Sequence, residues 1–489
     1  MQKAKFYSFL LVLCLWVPTD VFSQLVVPLN SFYSNEVFRH KILNTQSDIF
    51  TGDRFLLIDS FYYKSHFFSS NNINVLPVFN ATVGVNRGEL PEYKTINGFL
   101  FEFKKKRFGM QLLPYFYLQH PDIFEDSACS YIPGFYTRYN KGGGNVYFSD
   151  VRWNLSYKVS PYMYFSAGKG KMFLGRGIRS FFLSDAGGSY YYFRGTLNVW
   201  HIHYVWQVST GYDKDSIRYG VEKREPKYFA YHYLNWAAKK WLNVSLFETV
   251  IWSHYLDGRV RGIEISYLNP IIFYRPVEFD LGSRDNVIMG GGITLKPWHN
   301  LFLYSQFVLD EFRIKELRAN RGWYGNKYAI QLGAKWYANR WFMLGEMNVA
   351  RPFIYSHDTP IGNYGMENQP LAHPLSGNFE EGICVIRRYE KTFYMQIKAS
   401  LLRQGLNTSE WNVGSDIYLS YDDRSNEYGN YMLNGKLYEQ ASIAFRLAYP
   451  MDCFFREWFG ETGYSVSRID NHFHKNQLWI KIGFVTNIF

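Results

Sequence analysis

Gln477-Leu478-Trp479-Ile480-Lys481-Ile482-Gly483-Phe484-Val485-Thr486-Asn487-Ile488-Phe489 closes the chain. Successive side chains of a strand point to opposite faces, so Ile480, Ile482 and Phe484 share one side and Lys481 and Gly483 the other. A terminal strand with one greasy face has no obvious soluble partner. In a lipid-embedded barrel it has one: it pairs with the first strand and closes the cylinder, leaving no open sheet edge in hydrocarbon. Ser442–Tyr449 alternates in the same way.

The other end of the chain agrees. Lys3 and Lys5 precede the apolar run Phe6–Val17 and the small-residue step Val21-Phe22-Ser23-Gln24. That pattern predicts a secretory signal peptide over residues 1–23, too short in its apolar core to span a bilayer. Residues 24–55 do not alternate. There Ser34 is placed to cap a short helix over Asn35–Leu43, with Val37, Phe38 and Ile42 on one face, forming a periplasmic helical or arm segment. The barrel itself is expected over residues 56–489.

Composition narrows the class. Hydrophobic residues make up 47%, an ordinary share, whereas aromatics reach 20% and charges only 19%. Aromatic excess without hydrophobic excess suits a barrel with Tyr, Trp and Phe girdles and a polar lumen. A secreted β-sandwich or propeller, also rich in Tyr and Gly, is the alternative. The formal charge of +11 comes with no nucleic-acid motif, and an exported protein meets anionic lipopolysaccharide or polysaccharide instead. Cys129, Cys384 and Cys453 allow one disulfide at most, and Cys14 follows Leu13, too large for the position before a lipidated cysteine.

Period-2 segments recur from about residue 99 onward, broken by Gly, Asn, Asp and Pro. Val151, Trp153, Leu155 and Tyr157 alternate with Arg152, Asn154, Ser156 and Lys158. Tyr328, Ile330, Leu332, Ala334 and Trp336 alternate with Gln331, Gly333 and Lys335. On a lipid face each mid-strand Arg or Lys would cost roughly 2–4 kcal/mol, so the polar rows belong inside. Allowing roughly 25 residues per strand and connection, the chain holds about 16–18 antiparallel strands, with eighteen preferred. Lys104-Lys105-Lys106-Arg107 reads as a tight turn. Three connections exceed ordinary loop lengths, about Gln119–Gly144, Lys169–Gly195 and Arg351–Gly382, and are expected outside the cell or folded inward as plugs.

Two blocks carry more than composition. One runs from Ala167 through Gly168-Lys169-Gly170-Lys171-Met172-Phe173-Leu174-Gly175-Arg176-Gly177 to Asp185. The other joins Tyr274-Arg275-Pro276-Val277-Glu278-Phe279, Leu309-Asp310-Glu311-Phe312, Gly322-Trp323-Tyr324-Gly325-Asn326-Lys327, Arg351-Pro352-Phe353-Ile354-Tyr355-Ser356-His357, Leu371-Ala372-His373-Pro374 and Asn378-Phe379-Glu380-Glu381. This order of motifs resembles the capsule-assembly Wzi family of outer-membrane proteins, and within it the gliding-motility RemB type. The resemblance covers about half the chain. It departs at Asp185-Ala186-Gly187-Gly188 and Tyr190-Tyr191-Tyr192, where the family has Ser-Asp-Asn and Tyr-Pro-Tyr, which puts ligand contacts of that loop in doubt. It implies a closed barrel with a periplasmic helical element, and a role in attaching or organising surface polysaccharide, or in gliding adhesion, without catalysis.

The residues themselves give physical expectations. Gly168, Gly170, Gly175 and Gly177 are no phosphate loop, since no Lys-Ser/Thr pair or helix follows. They suit a strand–loop junction that bends back into the lumen. Arg275 with Glu278, Asp310 with Glu311, and Arg351 are expected as lumen charges, either a bracing lattice or an anion-conducting constriction. Arg275-Pro276 and Arg351-Pro352 read as strand ends. Tyr355, His357, Asn363, Tyr364, His373 and Asn378 gather aromatic faces and neutral donors, which a sugar surface needs, and are the candidate polysaccharide site. A self-packed plug is the alternative for the same stretch. His357, His373 and Asp358 lack metal-ligand spacing, and Ser184 with His373 lacks a nucleophile elbow and an orienting partner. No cofactor and no enzyme activity are expected. The expected partners are outer-membrane lipid, lipopolysaccharide, surface polysaccharide and other envelope or gliding components. The alternative function is a diffusion porin or anion-selective channel.

Overall fold

The structure is a computed structural model. It describes residues 72–486 apart from 87–90, 121–139, 143, 215–223, 257–258, 272 and 452–455, together with the short strands Leu25–Pro28, Phe55–Ile58 and Phe68–Ser69 ahead of them. The expected signal segment (1–23), the helix expected over Asn35–Leu43, Cys129, Cys453 and Phe489 lie outside the described residues.

Eighteen long antiparallel strands close into one barrel. The first six are β1 (Ile73–Asn86), β2 (Glu92–Lys105), β3 (Phe108–His120), β4 (Asn145–Lys158), β5 (Met163–Gly170) and β6 (Tyr190–Val199). Next come β7 (Ile202–Lys214), β8 (Arg224–Lys239), β9 (Leu242–Ser253), β10 (Asn286–Trp298), β11 (Leu301–Leu309) and β12 (Tyr328–Ala338). The last are β13 (Trp341–Ala350), β14 (Phe379–Tyr389), β15 (Tyr394–Leu406), β16 (Lys436–Pro450), β17 (Arg456–Ile469) and β18 (His472–Thr486). Closure falls where the terminal alternation put it: β18 pairs with β1, Ile482 opposite Val83 and Phe484 opposite Ala81.

The two faces of the wall sort as the polar and apolar rows require. On β11, Phe302, Tyr304, Gln306 and Val308 are buried inward, while Leu303 and Phe307 are exposed outward. On β18, Ile480 and Ile482 are exposed outward, whereas Lys481 Nζ reaches Glu92 Oε1 at 2.5 Å. Connections alternate in length around the barrel. Short turns, such as Lys106-Arg107 and Asn339-Arg340, occupy one rim, and longer connections occupy the other, except for the two-residue turn Asp470-Asn471 between β17 and β18. Lys106 and Asn339 turn with φ of 49° and 50°. Trp200, Trp241, Trp298 and Trp341 are exposed along the short-turn rim, forming an aromatic girdle. In barrels of this type short turns face the periplasm and long loops face outward.

Two long connections, 171–189 and 351–378, enter the lumen and build its core. Phe181, Phe182, Leu183, Tyr355, Tyr364 and Leu371 are buried there against wall residues such as Phe247 and Val308. A third, following β9, runs down the outside instead. It carries the helix α1 (Tyr274–Leu281), whose Tyr274 packs with Tyr267 on the outward residues Tyr228, Val250 and Trp252. This corrects two expectations. Arg275-Pro276 is no strand end, because Pro276 sits in the first helical turn, where a missing N–H costs nothing. Arg275 and Glu278 pair at 2.9 Å, but outside the wall and not in the lumen. Arg351-Pro352 does follow directly on β13.

Candidate functional site

The plug is held by polar side chains from the inward rows of four neighbouring strands. Gln306 on β11 donates from Nε2 to Leu174 O (3.1 Å) and accepts at Oε1 from the Phe181 N–H (2.8 Å). Gln331 on β12 donates to Arg179 O (2.9 Å). Glu346 on β13 accepts the N–H groups of Ile178 (2.7 Å) and Arg179 (3.0 Å), and also the Tyr304 hydroxyl (2.7 Å). Glu381 on β14 accepts Arg179 through Nε (3.2 Å) and Nη2 (2.9 Å), Asn348 Nδ2 (3.2 Å) and His373 Nε2 (2.9 Å). A loop that enters a barrel must satisfy its backbone from the wall, and these four residues do that.

Glycine makes the close approach possible. Gly175 has φ +138°, and a Cβ there would collide with the Gln306 amide; one at Gly177 would collide with the Glu346 carboxylate. Gly175→Ala is therefore expected to destabilise the plug by about 1–2 kcal/mol. Thermal unfolding of the purified barrel checks this, with a substitution at Gly460, where a Cβ meets nothing, as the control.

The second inward connection lies against the first. Tyr355 Oη donates to Phe181 O (2.8 Å), Tyr364 Oη to Phe182 O (2.6 Å), and the Ser184 N–H to Leu371 O (2.7 Å). Phe353, Tyr355, Glu367, Asn368, Ser376 and Asn378 all hold left-handed backbone. Such conformations persist only where the surroundings over-determine them. The expected sugar-binding residues therefore sit inside the plug, their faces against protein. Tyr355, Asn363, Tyr364, His373 and Asn378 are fully enclosed, and His357 nearly so. Asn363 Oδ1 accepts Lys227 Nζ (2.7 Å), and Lys227 also reaches Asp213 (3.2 Å). Asn378 Nδ2 donates to Gly405 O and Asn434 O, both at 2.9 Å. His357 lies beside Asp358 at 2.5 Å and edge-on to Tyr421.

His373 shows its proton state. The Leu375 N–H donates to Nδ1 (3.2 Å) and Nε2 faces the Glu381 carboxylate, which puts the single proton on Nε2. Burial holds its pKa below the ordinary imidazole value. Both ring nitrogens are engaged, and Ser184 Oγ donates to Ala372 O (2.5 Å), so the two residues form no proton relay. Among the described residues no group of His, Cys, Asp and Glu is gathered for a metal. Cys384 is free and exposed.

The expected lumen charges do not join into one lattice. Glu311 pairs with Lys327 (2.9 Å), and Asp310 accepts the Tyr355 N–H (2.9 Å). Arg351 turns to Asn326 O and the Tyr328 ring. The lattice that the lumen does contain centres on Arg179, Glu346, His373 and Glu381, with Arg446 on Glu457 (2.5 Å) and Lys169 on Asp150 elsewhere. Its signal in the sequence was the polar row of each strand. Which row members meet depends on barrel closure, so pairing was not readable from spacing.

Above the plug, two outer connections clasp each other. The Gly429 and Asn430 N–H groups bond to Arg321 O and Gly322 O, both at 2.8 Å. There the Arg321 guanidinium lies 4.4 Å over Tyr428 and Arg424 lies 3.8 Å over Tyr324. Tyr428 and Tyr431 are exposed and the Tyr431 hydroxyl donates to Asn320 O (3.2 Å), so aromatic rings and guanidinium donors stand together at this clasp. Trp411, earlier in the same connection, is exposed as well. The motifs along the chain include Trp323-Tyr324 but not these three, which lie in an irregular stretch without periodicity.

Closed strands, an apolar outer face and a plugged lumen define an outer-membrane-type β-barrel. The chain is similar in fold to Wzi of Escherichia coli, described as an outer-membrane protein involved in group 1 capsule assembly and a carbohydrate-binding β-barrel. Identity is 11%, 83% of this chain and 84% of that chain are covered, and the TM-score is 0.51. OprD of Pseudomonas aeruginosa (9% identity, 87% and 98% covered, TM-score 0.44) and OccAB2 of Acinetobacter baumannii (8%, 85% and 97%, 0.47) are more distant in shape. At such identities the likeness is one of fold alone. No protein-family model and no curated protein matches the chain.

Proposed function

We propose that this protein is a non-enzymatic outer-membrane barrel, exported by a cleaved signal, that holds or organises surface polysaccharide at its outer mouth. The observation that carries the reading is a lumen occupied by a wall-bonded plug beneath an exposed aromatic and guanidinium surface. Sugar rings stack their CH faces on aromatics and bond their hydroxyls or carboxylates to neighbouring donors. Trp411, Tyr428, Tyr431 and Arg321 offer both. Tyr355, His357, Asn363, Tyr364, His373 and Asn378 are the floor that positions this surface. The likeness to Wzi supports a capsule-type role, and the motif order of the gliding-motility RemB type supports surface adhesion by the same chemistry. Lipopolysaccharide and other envelope or gliding components are the proposed neighbours.

The triple variant Trp411→Ala, Tyr428→Ala, Tyr431→Ala is expected to lower cell-surface polysaccharide retention about tenfold, since each stacked face contributes about 0.5–1.5 kcal/mol. Barrel abundance should not change. Unaltered retention would reject the mouth as the binding surface. A second reading, an anion-selective channel, draws on one observation. Lys398, inward on β15, is exposed, and Gln440, Ser442 and Arg446 on β16 are only half-buried, so that side of the lumen is hydrated. A steady open pore in planar bilayers would favour this reading, and a silent barrel the first.

A further inference from the structure

We propose that the connection between β9 and β10 is a lipid-embedded flap, lying on the outside of the barrel with its tip among the acyl chains of the outer leaflet. The inference rests on the membrane placement of the barrel. Its ground is how the outward face of the wall treats the flap backbone. Hydrocarbon offers no partner to a peptide group, so irregular chain at membrane depth survives only where protein satisfies it.

Here outward-pointing wall residues do so. Glu248 accepts the N–H groups of Phe273 (2.7 Å), Tyr274 (2.6 Å) and Arg275 (3.2 Å). Tyr204 Oη donates to Pro270 O (2.7 Å), His232 Nε2 to Asn269 O (3.0 Å) and Trp252 Nε1 to Gly262 O (3.0 Å). Glu248 belongs to the lipid-facing row: it follows exposed Leu246 by two positions on β9 and pairs in register with exposed Met289 on β10. A carboxylate and an imidazole in that row would be costly if bare. Under the flap both are buried, His232 stacked on Tyr274 at 4.1 Å between ring centres.

The other side of the flap is apolar. Ile263, Ile265 (78% exposed), Leu268, Ile271 and Phe273 (67%) are exposed on it. The exposed charges Arg259, Asp280 and Arg284 stand toward its two ends, and Arg275, beside the tip, is exposed but paired with Glu278 at 2.9 Å. This patch continues the lipid belt of the neighbouring strands sideways, at the level of Tyr204 and Met289. Acyl chains are the occupant it fits.

The test uses the full barrel with Cys129, Cys384 and Cys453 replaced by Ser, reconstituted one barrel per lipid nanodisc. Single spin labels go on Ile265→Cys, Phe273→Cys, Met289→Cys and Tyr431→Cys. The expected result is that labels at 265 and 273 match the one at 289, being open to oxygen and closed to a water-soluble nickel chelate, with the reverse at 431. Nickel access at 265 and 273 with lipid-like behaviour at 289 would overturn the flap alone, as would exclusion of both reagents, which marks a protein cover. Nickel access at 289 as well would overturn the membrane reading beneath it.

Discussion

Glu381→Ala is expected to loosen the plug by about 3–5 kcal/mol, the usual effect of removing one partner from a buried charge cluster. Glu381 is the acceptor for Arg179, Asn348 and His373 together. Alanine leaves a guanidinium and two further donors facing a space that was built around a carboxylate, and each loses more by being stranded than it contributed when paired. The barrel wall keeps its strand hydrogen bonds, so the protein should still assemble and insert. The connection 171–189, bonded to the wall through Arg179, should leave the lumen more readily. Planar-bilayer recordings should then show frequent openings where the parent protein is quiet, and the detergent-purified variant should unfold at a lower temperature. Glu381→Gln keeps an acceptor oxygen but removes the charge, and should lie between the two. An alanine variant that matches the parent in both measurements would mean that the plug is held elsewhere.

Ile480→Arg tests the wall from its other side. Ile480 is exposed on the outward row of the closing strand, opposite Val85 of β1 and Thr462 of β17. A guanidinium in the middle of the lipid belt costs roughly 2–4 kcal/mol, and more weakly near the interfaces. The loss falls on the seam where the barrel closes, so the heat-modifiable folded band should decrease in membranes and assembly should slow. One residue further on, Lys481→Met should change stability by less than about 1 kcal/mol, because the Lys481–Glu92 pair stands in a half-hydrated lumen. Equal tolerance of both substitutions would contradict the assignment of faces.

These two expectations show what could and could not be read along the chain. The alternation of Ile480, Lys481, Ile482 and Gly483 is a property of a few neighbouring residues, and a strand has only two faces, so inside and outside were legible before any coordinates. The approximate strand number followed from length, and the inward return at Gly175 and Gly177 from residue type. The plug of 351–378 stood beside the sugar-binding reading of the same residues, because aromatic rings with Asn and His donors serve either purpose. Only burial separates a ring that stacks on sugar from one that packs against Phe181 or Tyr421.

By itself, then, the sequence determined a lipid-facing barrel closed by its last strand, with charges turned inward, because period-2 patterning acts locally and a membrane penalises every exception. Tertiary structure alone decided which charges meet. Arg179 and Glu381 are 202 positions apart, and Arg275 with Glu278, three apart, ended outside the wall. Pairing across a lumen depends on how eighteen strands stagger around a circle, and that geometry is a property of the closed cylinder which no single stretch of chain contains.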